Sequence, residues 1–266
     1  MPDLLLIFVL TGAAAGLLAG LFGVGGGLIM VPALAWILPR QGFADAIVMQ
    51  MAIGTSLAVI AITSISSTRA HHQRGGVLWA VLLRFAPGLM SGALIGAYVA
   101  DQLTGHSLKT IVGTGALLVS IQMLLNRNPV AATHDSNLPG TVELLGAGSV
   151  IGLLSSLIGI GGGSLTVPYM SLRGISMRQA VGTAAACGVP IAWAGAIGFM
   201  LAGHGHAALP AWSLGYVSLP AFVGISVASV ALAPVGARLA HTLPPLLLKR
   251  LFALLLALIG LRMLLG

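Results

Sequence analysis

The chain has very little charge. Only 6% of its 266 residues are Asp, Glu, Lys or Arg, and just 5 are acidic. An ordinary soluble domain is about 25% charged. So few charges cannot cover a surface against water, which excludes a soluble globular fold. A single cysteine, Cys187, excludes a disulfide framework and any multi-thiolate metal centre. It lies in an apolar stretch and reads as a small core residue. No glycine run ends in Gly-Lys-Ser/Thr, so the phosphate cradle of ATP-driven proteins is missing. No nucleophile–base pair stands out, which argues against an enzyme.

Acids are absent from the middle of every hydrophobic stretch. Asp3, Asp45, Asp101, Asp135 and Glu143 all stand at or near segment ends. The usual carboxylate of an intramembrane proton relay is therefore lacking. His71, His72, His204 and His206 read as loop residues, and His204-Gly-His206 is too weak a pattern to predict a metal. No metal and no cofactor are implied. The net charge of +7 forms no basic face for nucleic acid, so the basic residues serve to orient the chain.

What the sequence has is apolar length: 58% of the residues are hydrophobic. Such a chain holds about eight to ten segments of ~20 residues in a lipid bilayer. Met1 to Gly20 superficially resembles a signal peptide but lacks a basic start, and reads as the first membrane segment.

The sequence also repeats itself. Gly16 to Leu34 reads GLLAGLFGVGGGLIMVPAL, and Gly152 to Met170 reads GLLSSLIGIGGGSLTVPYM. Gly23, Gly25, Gly26 and Gly27 align with Gly159, Gly161, Gly162 and Gly163. Further on, AIGT at 52–55 matches AVGT at 180–183, Gly96-Ala97 matches Gly236-Ala237, and Lys109 matches Lys249. Chance clustering of glycines explains one such match but not the ordered series. Duplication followed by divergence predicts one membrane repeat over 1–125, a polar linker over 126–139 and a second repeat over 140–266.

Hydrophobic runs fall near 4–22, 24–38, 44–67, 76–100 and 107–125, then 141–158, 160–172, 177–202, 212–237 and 246–265. The span from 4 to 38 is too long for one helix across a ~30 Å core. Its glycines favour a break, at about 1 kcal/mol each against alanine. The predicted fold is all-α and polytopic. Each repeat has a broken, re-entrant helical hairpin followed by three transmembrane helices. Three crossings invert the second repeat relative to the first. One side then collects Arg69, Arg74, Arg127, Arg173, Arg178, Arg238, Lys249 and Arg250, against Arg40, Lys109 and Arg262 on the other. The rich side is the cytoplasmic one, which places both termini outside. Inverted repeats are common in secondary transporters.

The paired GVGGG…VP and GIGGG…VP segments resemble the sulfite exporter TauE/SafE family, also called the toluene sulfonate uptake permease family. So do GISMRQAVGT at 174–183, GYVSLPAF at 215–222 and GARLAHTLP at 236–244. The resemblance covers nearly the whole chain. It implies a bacterial inner-membrane protein that moves sulfur-containing anions such as sulfite or organosulfonates. Its partners would be that small anion and the lipid bilayer, and a homodimer is compatible with it. One departure is visible: Tyr98 stands where the second repeat has Arg238. A symmetric role for that arginine is not implied.

An unwound glycine run at membrane depth survives only where it is buried or lines a cavity. The helix restarting after each run presents free N–H groups and a partial positive charge, which suits an anion. The candidate substrate-binding residues are Gly25, Gly26 and Gly27 in the first run and Gly161, Gly162 and Gly163 in the second. Ser164 and Thr166 follow the second run, where the first has Leu28 and Met30. Thr55, Ser56 and Thr183 lie in the matched Gly-Thr motifs, and Arg84 is the one charge well inside a span. Small residues also serve close helix packing, and both uses can hold at different glycines. Export of a sulfur oxyanion or organosulfonate is the leading expectation. An uptake permease or an anion channel of the same fold competes with it. A membrane enzyme or accessory factor of sulfur metabolism would need a buried His/Glu/Asp cluster, which the sequence does not present.

Overall fold

The computed structural model describes residues 2–22, 25–125, 140–239 and 245–265. The predicted linker at 126–139 lies outside them. The described chain is all helix apart from one strand pair. Each glycine run separates two helices: α1 (Pro2–Phe22) from α2 (Gly27–Arg40), and α6 (Thr141–Ile158) from α7 (Gly163–Leu172). Three helices follow each pair: α3 (Asp45–His72), α4 (Trp79–Gln102) and α5 (Gly105–Leu125), then α8 (Met177–Ala202), α9 (Leu219–Leu239) and α10 (Pro245–Leu265). Five of the described helices, α3, α4, α6, α8 and α9, are long and apolar enough to cross a membrane.

The outer face is apolar. Leu83 on α4 is 70% exposed, Tyr98 on the same helix 67%, and Val227 on α9 69%. Such a surface is tolerable only against lipid, and the protein is a multi-pass membrane protein. α3 is buried on nearly all sides, enclosed by α2, α8, α9 and α5.

Packing follows the repeat. α1 lies along α9, and its counterpart α6 lies along α4. Carbonyl–glycine contacts every fourth residue set both pairs. A Cβ at Gly12, Gly16 or Gly20 would meet the carbonyl oxygens of Ile225, Ser229 or Ala233 at 2.3, 2.4 and 2.0 Å. On α4, Gly88, Gly92 and Gly96 face the carbonyls of Leu145, Ser149 and Leu153 at 2.3, 2.0 and 2.7 Å. Glycines four apart form a groove on one helix face, and in lipid such close approach replaces the missing hydrophobic drive. Residue numbers rise together along both partners, so each pair runs parallel. The far end of α7 returns to the start of α6. Arg173 pairs with Glu143, and Tyr169 Oη donates to the same carboxylate at 2.8 Å.

Two sequence expectations change. The hydrophobic run at 212–237 is not all helix. Ser213–Leu214 (β1) pairs antiparallel with Val217–Ser218 (β2) before α9 begins. Gly215, at φ 53°, sits against the Met200 carbonyl, where a Cβ would be 2.1 Å away. Hydropathy alone does not see such a turn. His71 and His72 lie in the last turn of α3 instead of a loop, where imidazole suits the negative helix end.

Candidate functional site

Two equivalent glycines start the site. Gly26 caps the N-terminus of α2 at φ 75°, and Gly162 caps α7 at φ 79°. Both are left-handed, a conformation that costs other residues roughly 1–2 kcal/mol. Gly26 O accepts from the amides of Ile29 and Met30, and Gly162 O from those of Leu165 and Thr166. The first amides of each helix are left with no acceptor inside the helix.

The two breaks meet. A Cβ on Gly25 would stand 3.2 Å from Gly161 Cα, and one on Gly27 would stand 2.0 Å from the Gly159 carbonyl oxygen. Gly188 of α8 closes in from the other side, with Gly161 O 2.9 Å from its missing Cβ. Ser56 on α3 donates to Gly159 O at 3.0 Å. All six glycines predicted for the site are buried. The junction lies between α3 and α8, each touching it near mid-helix through Ser56, Ile60, Gly188 and Ile191.

Hydroxyls distinguish the two sides. Ser164 and Thr166 are 7% and 0% exposed, and neither hydroxyl has a hydrogen-bond partner. Thr166 Oγ1 lies 3.6 Å from the point where a Cβ on Gly162 would be, directly against the cap. Ser155 and Ser156, in the last turn of α6, are also fully buried and unpartnered. Sequence reasoning did not name these two serines. The signal was present in the aligned repeats, where Ala19 and Gly20 stand at their positions. An unpaired buried hydroxyl costs about 1–3 kcal/mol, so the two in the first turn of α7, Ser164 and Thr166, require an explanation.

Other predicted residues sit elsewhere. Thr55 Oγ1 accepts from Ser218 N at 2.9 Å, and Thr183 Oγ1 accepts from Leu78 N at 2.9 Å. Thr55 thus holds the residue that precedes α9, and Thr183 the residue that precedes α4. The glycine before each threonine makes room for that strand of backbone. A Cβ on Gly54 would be 2.7 Å from Tyr216 O, and one on Gly182 would be 2.3 Å from Gly76 O. The Gly-Thr motifs are therefore reciprocal clasps. In the first, Tyr216 Oη donates to Asp101 at 2.9 Å. Burial, then the bond to Asp101 and its charge, push that phenol well above the usual tyrosine range. Arg84 is exposed on the outer face of α4, in its second turn, and is not brought to the glycine junction.

A groove of about 520 Å³ opens between α3, α4 and α8, with Arg69 and His72 at the helix end and Ile65, Pro190 and Trp193 on its walls. Trp79 Nε1 donates to His72 Nδ1 at 3.1 Å. Among the described residues, no three His, Cys, Asp or Glu side chains gather as a metal site would need.

Comparison with known proteins agrees with this picture. The sulfite exporter TauE/SafE family matches residues 8–263. A probable membrane transporter protein of Haemophilus influenzae is 36% identical over 263 residues, covering 99% of both chains. The probable membrane transporter YunE of Bacillus subtilis is 32% identical over 74% of this chain and 79% of its own. The probable membrane transporter MJ0441 of Methanocaldococcus jannaschii is 26% identical over 98% of this chain and 96% of its own. No solved structure matches significantly. With the match running over nearly its full length, the chain belongs to the sulfite exporter TauE/SafE family.

Proposed function

We propose that this protein is a secondary transporter, working as an exporter, of sulfur-containing anions such as sulfite or organosulfonates. The anion binds where the two glycine breaks meet. One observation carries the reading: two left-handed glycine caps start helices at one buried junction, and the buried hydroxyls of Ser164 and Thr166 in the first turn of α7 have no partners. Helix starts attract anions, and an oxyanion accepts from hydroxyls and amides alike. Broken helices from two repeats meeting at mid-depth recur in secondary transporters.

The same reading makes 1–125 and 140–266 inverted repeats joined by a cytoplasmic linker at 126–139, in a bacterial inner membrane. Reciprocal packing of α1 on α9 and α6 on α4 supports it, as do the reciprocal clasps. Both termini then face the periplasm. The family name adds sulfite to the substrate list, and a transporter's role leaves no reaction for the chain to catalyse.

Purified protein in liposomes loaded with sulfite, a small sulfonate, thiosulfate or chloride tests this. Saturable efflux of the sulfur anions above protein-free vesicles is the expected result. Efflux no faster than in empty vesicles rejects transport, and single-channel currents in place of saturable exchange make the protein a channel. Cysteines placed at 126–139 should react with impermeant reagents only from the cytoplasm; reaction from the periplasm overturns the orientation.

A further inference from the structure

The groove between α3, α4 and α8 has a chemistry of its own. We propose that it binds one anionic phospholipid of the surrounding bilayer, with an acyl chain along its walls and the phosphate at Arg69. The proposal stands apart from what the protein transports.

The groove, about 520 Å³ in volume, lies where α3 ends and α4 begins. Leu82, Leu83 and Ala86 of α4 and Val189, Pro190 and Trp193 of α8 line it. Their side chains carry one polar group between them, the indole N–H of Trp193. Leu83 and Trp193 are both exposed, so the groove opens on the outer face, which lipid covers. Its residues run from Ile65 to His72 on α3 and from Trp79 to Ala86 on α4. Each stretch spans about 10 Å of helix rise. That depth fits inside one leaflet, half of a ~30 Å core. An apolar furrow ending at the ends of two helices suits an acyl chain whose headgroup stays at the interface. The same stretch of α8 meets the glycine breaks. Gly188 and Ile191 contact Gly161 and Gly162, while Val189 and Pro190 line the groove. A lipid seated there packs against the helix that holds the junction.

Charge selects the headgroup. Arg69 lines the groove in the last turn of α3 and is exposed. Among the described residues the one ion pair joins Arg173 to Glu143, so Arg69 has no carboxylate partner. The neighbouring arginines are committed to carbonyls: Arg74 Nη1 donates to Ala70 O at 2.7 Å, and Arg178 donates to Arg74 O. His72 stands three residues after Arg69, on the same helix face. Its Nδ1 accepts from Trp79 Nε1 at 3.1 Å, so the hydrogen of the neutral ring sits on Nε2 and makes His72 a second donor. No Asp or Glu lines the groove to repel a phosphate. Long basic side chains lay their stems on apolar surface and hold their charge at the interface, where a lipid phosphate lies. A second copy of the chain fits less well. A two-fold contact sets each surface against itself and would bring two copies of Arg69 together with no acid to offset them.

Titration of the delipidated full chain in detergent tests this, with bound lipid counted by native mass spectrometry. Phosphatidylglycerol should saturate at one molecule per chain and raise the unfolding temperature. Phosphatidylcholine should bind about fivefold more weakly, the contribution of one basic residue toward an anionic lipid. Arg69→Gln should lower phosphatidylglycerol affinity by the same factor, down to the phosphatidylcholine value. Arg84→Gln removes an equal charge from α4 outside the groove and should leave the affinity unchanged. Ala86→Phe fills the groove and should abolish the bound lipid with Arg69 still in place. Equal affinity for the two lipids overturns the proposal. Equal losses in the Arg69 and Arg84 variants also overturn it, since they mark diffuse attraction to a basic surface. So does undiminished binding to a folded Ala86→Phe protein. A dimer that Ala86→Phe dissociates would make the groove a contact between copies instead.

Discussion

The two glycine breaks share a backbone but not an environment. In the first turn of the helix that follows, the first break has Leu28 and Met30 where the second has Ser164 and Thr166. Their caps also differ in what surrounds them. A Cβ at Gly26 would run into the Ala15 carbonyl at 2.4 Å, which is backbone of its own hairpin. At Gly162 the nearest atom is Ile191 Cδ1 at 2.3 Å, the free end of a flexible side chain. One break is packed as a structural wedge, and the other keeps unsatisfied donors and a neighbour that can move. Both breaks present a helix start, and only the second has free side-chain hydroxyls beside it.

The sharpest way to break this comparison is to enlarge both caps. Gly26→Val adds a left-handed strain of roughly 1–2 kcal/mol to a clash with fixed backbone. A loss of about 2–5 kcal/mol is expected once an overpacking cost of about 1–3 is added, and it should appear as poor yield and early thermal unfolding in detergent. Gly162→Val pays a similar strain, but Ile191 can rotate away. That protein should fold, with stability lower by about 2 kcal/mol, and carry no measurable flux. Equal unfolding of both variants would show that the two breaks are packed alike.

Next in size is removal of the unpaired hydroxyls. Thr166→Val conserves volume and removes a group that costs stability when unpartnered. Thermal unfolding should stay unchanged or shift upward by the equivalent of about 1 kcal/mol. Flux should fall about tenfold, the loss of one hydrogen bond to a charged group. Adding Ser164→Ala should deepen the loss. Stability and transport moving in opposite directions is the signature of a ligand contact, whereas a structural hydroxyl would lower both.

Much of this was legible in the sequence, and the part that was not has a physical cause. Glycine runs forecast helix breaks at Gly26 and Gly162 because glycine alone occupies the left-handed region freely. Both breaks fall within the predicted segment boundaries. Ser155 and Ser156 were not forecast, since a membrane serine ordinarily bonds a carbonyl of its own helix. The aligned repeats mark them as a difference, and the absence of an acceptor in three dimensions shows that they are unpaired. Thr55 and Thr183 were visible as a matched motif but not as clasps. Their partners, Ser218 and Leu78, are distant in sequence, 163 and 105 residues away. In hindsight Gly75-x-Val77 and Gly215-x-Val217 mark the backbone that the clasps receive.

Smaller effects are expected at those clasps, where the two halves of the molecule are alike. Thr55→Val and Thr183→Val each leave a backbone N–H without its acceptor, at a cost of about 1–3 kcal/mol. The two variants should unfold at closely similar temperatures, because each bond measures 2.9 Å and each threonine is fully buried. Unequal shifts would extend the asymmetry of the breaks to the clasps.

The smallest effect belongs to Arg84, the one charge well inside a span of the sequence. Its side chain is exposed on the lipid side of α4, near the end that carries Arg69 and Arg74. A long basic side chain there lays its stem along apolar surface and carries its charge to the interface. Arg84→Gln keeps the length and removes the charge. Flux and substrate affinity should both stay within about twofold, and stability should change by less than about 0.5 kcal/mol, as for other surface substitutions. A weaker substrate affinity with unchanged folding would place Arg84 on the anion's route. The route would then run along the lipid-facing side of α4, and the asymmetry between the breaks would no longer be the main determinant of where the anion binds.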